Sequence, residues 1–360
     1  MIPVTKPFLP PREEYSNLVD SIWERNWLTN NGPIVNELEL KLKEYLGLDH
    51  LLYMSNGTIA LQIAIKALEL KGEIITTPFS YVATTSSIVW EGCEPVFVDI
   101  HPETFNIDPS HIEAAITENT SAILATHVYG NPCDIEAIDK IAKKHKLKVI
   151  YDAAHCFGTT FRGKSVLEYG DISTISFHAT KLFHTIEGGA VVTTSPDLLR
   201  KMSFLRNFGH AGEVKYAGVG INGKNSEFHA AMGLCNLKYI NEILNKRASD
   251  HQRYDKWLTQ LHLQKPTIDE DVKFNCAYYP VVFKTQENCE LIYKELKKHK
   301  IFARRYFYPV LTKVGYVDEV SVPVAESISK RILCLPLYYE LPEREIDLIC
   351  RVILRTINYA

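Results

Sequence analysis

No stretch of the 360-residue sequence approaches the roughly twenty consecutive apolar residues that a membrane-spanning helix requires. No excess of one charge is present either. The formal net charge is −3 at pH 7, which gives no electrostatic basis for binding nucleic acid or a membrane surface. The eight cysteines, at 93, 133, 156, 235, 276, 289, 334 and 350, include no C-x-x-C pair. Scattered this way in a long chain, they read as reduced and mostly buried thiols, not as a disulfide framework. The proline-rich start, MIPVTKPFLPPREEY, lacks the apolar core of a secretory signal. The P-loop pattern G-x-x-x-x-G-K-[ST] is missing, and so are internal repeats and heptads. These absences lead us to expect a soluble, cytoplasmic protein without nucleic-acid or membrane partners. Of two basic clusters, KKHKLK at 143–148 reads as a solvated helix face. KELKKHKIFARR at 294–305 ends in Arg304 and Arg305, which a phosphate-bearing ligand could use.

What is present is an alternation. The β-type runs LLYM, EIITT, EPVFVDI, SAILATHVYG, KVIYDAA, DISTISF and GGAVVTT follow one another between about residues 50 and 195. Helical patterns such as TIALQIAIKALEL and DIEAIDKIAKKH lie between several of them. The pattern predicts an α/β fold, a mostly parallel sheet flanked by helices on both faces. The last two runs are too close for a helical crossover and are expected to pair antiparallel or to meet through an irregular loop. After residue 240 a long polar helix, INEILNKRASDHQRYDKWLTQL, leads to a further strand, CAYYPVVF, and helix, NCELIYKELKKHK. We place a domain boundary here, with a large domain and N-terminal arm in 1–240 and a smaller α/β domain in 241–360.

Open parallel sheets bind ligands beyond the carboxyl ends of their strands. The residues to inspect are therefore 55–58 (SNGT), 78–81 (PFSY), 127–130 (HVYG), 152–155 (DAAH) and 176–178 (SFH). Gly57 opens a helix, where close backbone approach and unpaired amides suit a phosphate; a plain N-cap is the alternative. Asp152 closes an apolar strand and needs a cationic or donor partner, or else is a structural carboxylate bonded to nearby amides.

The run SFHATKLFHTIEGGAVVTT, 176–194, offers His178 and His184 as metal ligands and Lys181 as a covalent catalyst. The histidine separation, 184 − 178 = 6, fits neither a helical H-E-x-x-H nor a zinc finger, and no cysteine pair completes a set. We expect no metal. A partly buried lysine in this low-charge segment becomes a nucleophile toward aldehydes. An amine, a carboxylate and a phosphate-binding cap together meet the needs of one cofactor, pyridoxal phosphate. Tyr81 supplies a flat contact for its ring. GVGING at 218–223 matches G-x-G-x-x-G, yet the polar NFGHAGEVKYA before it is no buried strand, so a dinucleotide site is not expected.

With these residues in view, the sequence resembles the DegT-type nucleotide-sugar aminotransferases, pyridoxal-phosphate enzymes of the aspartate aminotransferase fold (fold type I). SNGTIAL, EPVFVDIHPETFNIDPSHIEAAITENTSAIL, HVYGNP, DAAHCFG, SFHATKLFHTIEGGAVVTT, GINGKNSEFHAAMGL and RILCLPLYYEL carry the resemblance along nearly the whole chain. It implies that Lys181 binds the cofactor aldehyde covalently and that Asp152 pairs with the pyridine nitrogen. Gly57, Thr58 and Ser176 would hold the phosphate, and Tyr81 would stack on the ring. His155 stands where many members have Gln beside the ring oxygen. Asn222 is similar to the family residue that reaches a neighbouring subunit's cofactor phosphate, which implies a homodimer with shared active sites. Lys224 replaces an Arg found in many relatives at a candidate substrate contact.

Dehydratase members carry a histidine in place of the lysine, so Lys181 favours transamination. The implied cycle takes the amino group from L-glutamate, releases 2-oxoglutarate, passes through pyridoxamine phosphate and aminates a nucleotide-linked keto sugar. SFHATK, GINGK and ARRYFYP look most like members that convert dTDP-4-keto-6-deoxyglucose to dTDP-4-amino-4,6-dideoxyglucose for surface polysaccharides or other deoxyamino sugars. Arg304 and Tyr306 are candidates for the nucleotide-sugar end. The alternatives are a 3-keto-sugar aminotransferase, a dehydratase or lyase using the same cofactor, and a non-catalytic regulator on the same fold.

Overall fold

Pro33 and Gly47 bracket a helix whose apolar spacing is plain in the sequence. The computed structural model describes residues 1–358 and places α1 at Arg12–Arg25 and α2 at Pro33–Leu46. Proline suits the first turn, where its missing N–H leaves no intrahelical bond unmade. Gly47 ends α2 at φ 66°, a left-handed conformation that glycine adopts without strain. Ile34, Val35, Leu38, Leu42 and Leu46 form the buried stripe between these ends.

Seven strands make the main sheet: β1 (Leu51–Met54), β2 (Glu73–Thr76), β3 (Glu94–Phe97), β4 (Thr120–Thr126), β5 (Lys148–Asp152), β6 (Ile172–Ser176) and β7 (Gly189–Val192). Their order is β1-β7-β6-β5-β4-β2-β3. The pairs β2–β3, β2–β4, β4–β5 and β5–β6 are parallel. β7 runs antiparallel to both its neighbours, as expected of two strands joined without a helix. The helices α3 (Gly57–Ala67), α4 (Val82–Trp90), α5 (Ile135–His145), α6 (Pro196–Leu205) and α7 (Glu227–Lys238) cover the two faces. Alternate residues of β1 show the division. Leu51 and Tyr53 pack with the α2 and α7 side, Leu52 and Met54 with the α3 and α6 side.

The run SAILATHVYG is shorter as a strand than its apolar character suggests. β4 stops at Thr126, and residues 128–130 turn, with Tyr129 at φ 58°. The Val128 N–H leaves the ladder for the Asn106 side chain at 2.9 Å, while the His127 N–H still reaches the Asp152 carbonyl at 3.0 Å. The turn brings Tyr129 and His155 together over the sheet edge.

Beyond α8 (Ile240–Leu258) the chain forms β8 (Tyr279–Val282), α9 (Gln286–Lys298), α10 (Pro323–Arg331), β9 (Ile332–Leu335) and α11 (Glu343–Asn358). β8 and β9 pair antiparallel. Tyr254, Val281, Leu296, Leu333, Ile349 and Ile353 are among the residues of a core built from these elements. A separate cluster joins this region to the main sheet, with Phe79, Phe105 and Tyr129 against Val282, Phe307 and Ile332. GVGING is an irregular loop between α6 and α7, with no strand leading into it.

Candidate active site

Strand register assembles the site. Thr126, Asp152 and Thr174 are neighbours across β4, β5 and β6 at their carboxyl ends. Ser176, Gly189 and Met54 form a second row across β6, β7 and β1. These ends open on a cavity of about 550 Å³ whose wall is completed by Tyr278, Arg304, Tyr306 and Phe307. Gly57, Thr58, Tyr81, Asp152, His155, Ser176, Lys181, Arg304 and Tyr306 all line it.

Asp152 is 5% exposed. Its Oδ2 accepts the Thr84 hydroxyl at 2.7 Å and its Oδ1 the Ala154 N–H at 3.1 Å. Burial pushes the carboxyl pKa up, against the opposing pull of these donors and of Lys181. Both hydrogen-bond partners are neutral, so a buried carboxylate here still favours a cation on its cavity side.

Lys181 sits on a tight loop between β6 and β7. The Phe177 N–H reaches the Gly188 carbonyl at 2.8 Å and the Ala179 N–H that of Ile186 at 2.7 Å. The Lys181 N–H donates to the His178 carbonyl at 2.9 Å. The ammonium is 3.5 Å from the Tyr278 hydroxyl, a long contact. Burial pulls its pKa down to about 8, with Asp152 and Tyr81 opposing. The amine is therefore half deprotonated near that pH, which a nucleophile needs.

His155 is buried, and its Nδ1 accepts the Tyr129 N–H at 3.2 Å. Burial and the nearby Lys181 hold its pKa well below the usual histidine value. The ring is neutral and, with Nδ1 accepting, carries its proton on Nε2.

At the start of α3 the Asn56 side chain accepts the Ile59 N–H at 2.8 Å. This leaves the amides of Gly57 and Thr58 pointing beyond the helix end as free donors among the described residues. Three backbones meet here. A Cβ on Gly57 would stand 3.0 Å from the Ser176 Cβ, and one on Gly189 would stand 2.6 Å from the Asn56 carbonyl carbon. Tyr81, at the N-cap of α4, is 54% exposed and presents its ring along the cavity. The Arg304 guanidinium lies 4.7 Å over the Tyr306 ring.

Two candidates lie elsewhere. Asn222 is exposed and bridges to Asn207. The Lys224 ammonium donates to the Asn207 side chain at 2.6 Å and lies 4.8 Å over the Phe208 ring. Neither lines this cavity. The two histidines of the lysine loop have separate partners. His178 Nδ1 is 2.8 Å from the Thr180 hydroxyl, and His184 Nε2 is 2.7 Å from the Phe8 carbonyl.

Sequence reasoning passed over Thr84, which donates to Asp152, and over Tyr278 and Glu187, which line the cavity. Thr84 lies one turn after Tyr81 in SYVATT, and its proximity to Tyr81 was the available signal. Tyr278 and Glu187 carried none that distinguishes them from core and surface residues.

The sequence model of the DegT/DnrJ/EryC1/StrS aminotransferase family matches residues 11–354. The chain belongs to this family. It is 45% identical over 347 residues to dTDP-4-amino-4,6-dideoxy-D-glucose transaminase of Shigella dysenteriae, covering 94% of each chain. A protein of the same name from Escherichia coli is 41% identical over 371 residues, covering 98% of each. The crystal structure of DesI in the presence of its TDP-sugar product superposes with a TM-score of 0.94 at 31% identity, over 99% of this chain and 93% of that one. The protein is thus a sugar aminotransferase of a pyridoxal-phosphate-dependent family, and its α/β architecture is the one expected for it.

The residues of this aminotransferase fit that cofactor. The buried Asp152 has only neutral hydrogen-bond partners, and free amides with the Ser176 hydroxyl form an anion cradle too tight for a side chain on Gly189. An amine of lowered pKa stands in the same cavity.

Proposed function

We propose that this aminotransferase moves an amino group from L-glutamate to dTDP-4-keto-6-deoxyglucose, giving dTDP-4-amino-4,6-dideoxyglucose. The observation that carries the reading is the convergence of Lys181, Asp152 and the α3 cradle on one cavity. The names of the two relatives above supply the sugar.

Pyridoxal phosphate, when bound, supplies an aldehyde and an electron-withdrawing ring. Gly57, Thr58 and Ser176 hold its phosphate with backbone amides and a hydroxyl. Asp152, whose carboxylate accepts from Thr84 and Ala154, would hold a proton on the ring nitrogen. His155 donates from Nε2 beside the ring, and Tyr81 covers one face. Lys181 Nζ takes and returns the proton at the reacting carbon, a task suited to an amine with a pKa of about 8. Arg304 and Tyr306 receive the anionic nucleotide-sugar end at the far wall.

Asn222 and Lys224 serve a second copy. They lie off this chain's own cavity, on a segment that also exposes Phe208, Tyr216 and Val219 at 49%, 62% and 81%. An apolar patch of this kind favours burial against another surface. We read the protein as a homodimer with shared sites, and residues 241–360 as its smaller domain.

The test is direct. Purified protein is incubated with L-glutamate and, separately, dTDP-, UDP- and GDP-linked keto sugars, and products are identified by mass spectrometry and NMR. The expected product is the 4-amino sugar from the dTDP substrate. Preferential amination of another base or at C3 would overturn the assignment.

A further inference from the structure

The N-terminal arm ties the lysine loop to the far wall of the cavity. Ile2 inserts beside the segment after α9, its N–H on the Lys300 carbonyl at 2.9 Å and its carbonyl accepting the Phe302 N–H at 2.8 Å. The Val4 carbonyl accepts the Leu337 N–H at 3.0 Å, just past β9. The arm then crosses to the lysine loop. The Thr5 hydroxyl donates to the Thr180 carbonyl at 3.3 Å, one residue before Lys181. Phe8 packs between Tyr239 and Tyr339, with ring centroids 5.3 and 5.1 Å away.

His184 closes the connection. It is 2% exposed, three residues after Lys181. The Phe8 carbonyl can only accept, so His184 Nε2 at 2.7 Å carries the proton. His184 Nδ1 then accepts the Ile186 N–H at 3.1 Å. The His184 carbonyl in turn accepts the Asn236 amide at 2.9 Å, anchoring the loop to α7. One neutral ring thus satisfies a donor in the loop and an acceptor in the arm. Burial keeps the ring neutral by lowering its pKa.

We propose that His184 is a positioning residue for Lys181, holding the N-terminal arm and the lysine loop as one unit. The consequence for the reaction rests on the reading of Lys181 as the reacting amine. The mechanical link does not. Lys181 must present its amine at a fixed place between Asp152 and the far wall, and its backbone is held mainly by a loop of a dozen or so residues with few regular bonds. The arm adds two bonds that reach across to the wall carrying Arg304 and Tyr306.

The experiment compares wild type with His184→Leu, His184→Gln and Thr5→Val as full-length chains. Gln keeps a donor for the Phe8 carbonyl; Leu keeps volume and loses both bonds. Amide hydrogen exchange is read for residues 1–9 and 177–188, without cofactor. His184→Leu is expected to raise exchange in both segments by about tenfold or more while β5 and β6 stay protected. The pH midpoint for acylation of Lys181 in the same apoprotein, read by peptide mass spectrometry, is expected to move up from about 8 as the loop opens to water. In holoenzyme, kcat falls about tenfold with KM for glutamate nearly unchanged, and His184→Gln recovers most of it. If His184→Leu does not fold, Thr5→Val carries the test, with smaller changes in the same two segments. Exchange that rises in the arm alone, or an unmoved acylation midpoint, overturns the proposal. Turnover surviving in Lys181→Ala would instead remove the reading of Lys181, and the exchange result would still decide the link.

Discussion

Thr84 donates its hydroxyl hydrogen to Asp152 at 2.7 Å, and this bond is the end of a one-way chain. With that hydrogen committed, the Ser80 hydroxyl, 2.8 Å away, must donate to Thr84, and Thr126 donates to Ser80 at 3.0 Å. All four residues are buried. The Thr84 donor at the end of the chain opposes the rise in the Asp152 pKa that burial causes. Hydrogen bonds to a charged acceptor contribute about 1.5–3 kcal/mol.

Thr84→Val keeps the shape and removes the last donor. The Asp152 pKa should rise, and affinity for pyridoxal phosphate and kcat should each fall about tenfold. Thr84→Ser should stay near wild type. Cofactor titration by absorbance and steady-state turnover measure both, and an unaffected Val variant would show that the chain does not support the carboxylate.

Lys181 makes the apoprotein's stability depend on pH. Its pKa is about 8 when folded against an ordinary 10.5. Between these values the unfolded chain holds more protons, so stability from this group rises with pH. Below about pH 8 both states are protonated and the burial penalty is fully present. Lys181→Met should therefore stabilise apoprotein near neutral pH and lose the advantage toward pH 10 or so. Denaturant midpoints of the two proteins across this range test the sign.

The strand–helix alternation made the fold legible, and with it the strand ends where Gly57, Asp152, Ser176 and Lys181 stand. Thr84 could not be read the same way. It meets Asp152 only because α4 follows β2, and β2 lies next to β4, which pairs with β5. That order of strands is not the order of the chain. Residues 127–130 read both as the tail of the run SAILATHVYG and as the segment beyond its strand; the second reading holds, because a distant Asn106 side chain draws the Val128 amide away. Tyr278 is invisible for a related reason: it enters the cavity from the segment before β8, far along the chain from Lys181. His184 needed the arm in place before its ring had a visible purpose.

Gly189 tests the phosphate cradle without removing any polar side chain. A Cβ there would lie 2.6 Å from the Asn56 carbonyl carbon and 2.7 Å from the Gly57 nitrogen. These are backbone atoms of a turn that cannot swing away as a side chain would. Overpacking of this kind costs about 1–3 kcal/mol. Gly189→Ala should shift the start of α3 and weaken cofactor binding at least about tenfold, with the thermal transition lowered by a few degrees or so. Isothermal titration and a thermal melt distinguish this local effect from general unfolding.

Arg304 should discriminate between the two halves of the cycle. Its guanidinium stands at the cavity wall over Tyr306 and pairs with no carboxylate among the described residues. A free cation at this place suits the diphosphate of a nucleotide sugar, while glutamate must fit nearer Lys181. Arg304→Met keeps the alkyl stem over the ring and removes the charge. KM for the dTDP sugar should then rise about tenfold, with the glutamate half of the cycle changed less than about twofold. Arg304→Lys should fall between, because a lysine keeps the charge without the planar fork. Single-turnover measurement with glutamate alone separates the two halves. Loss confined to the glutamate half would assign Arg304 to the carboxylate of the amino donor instead, since that group is present only when glutamate binds.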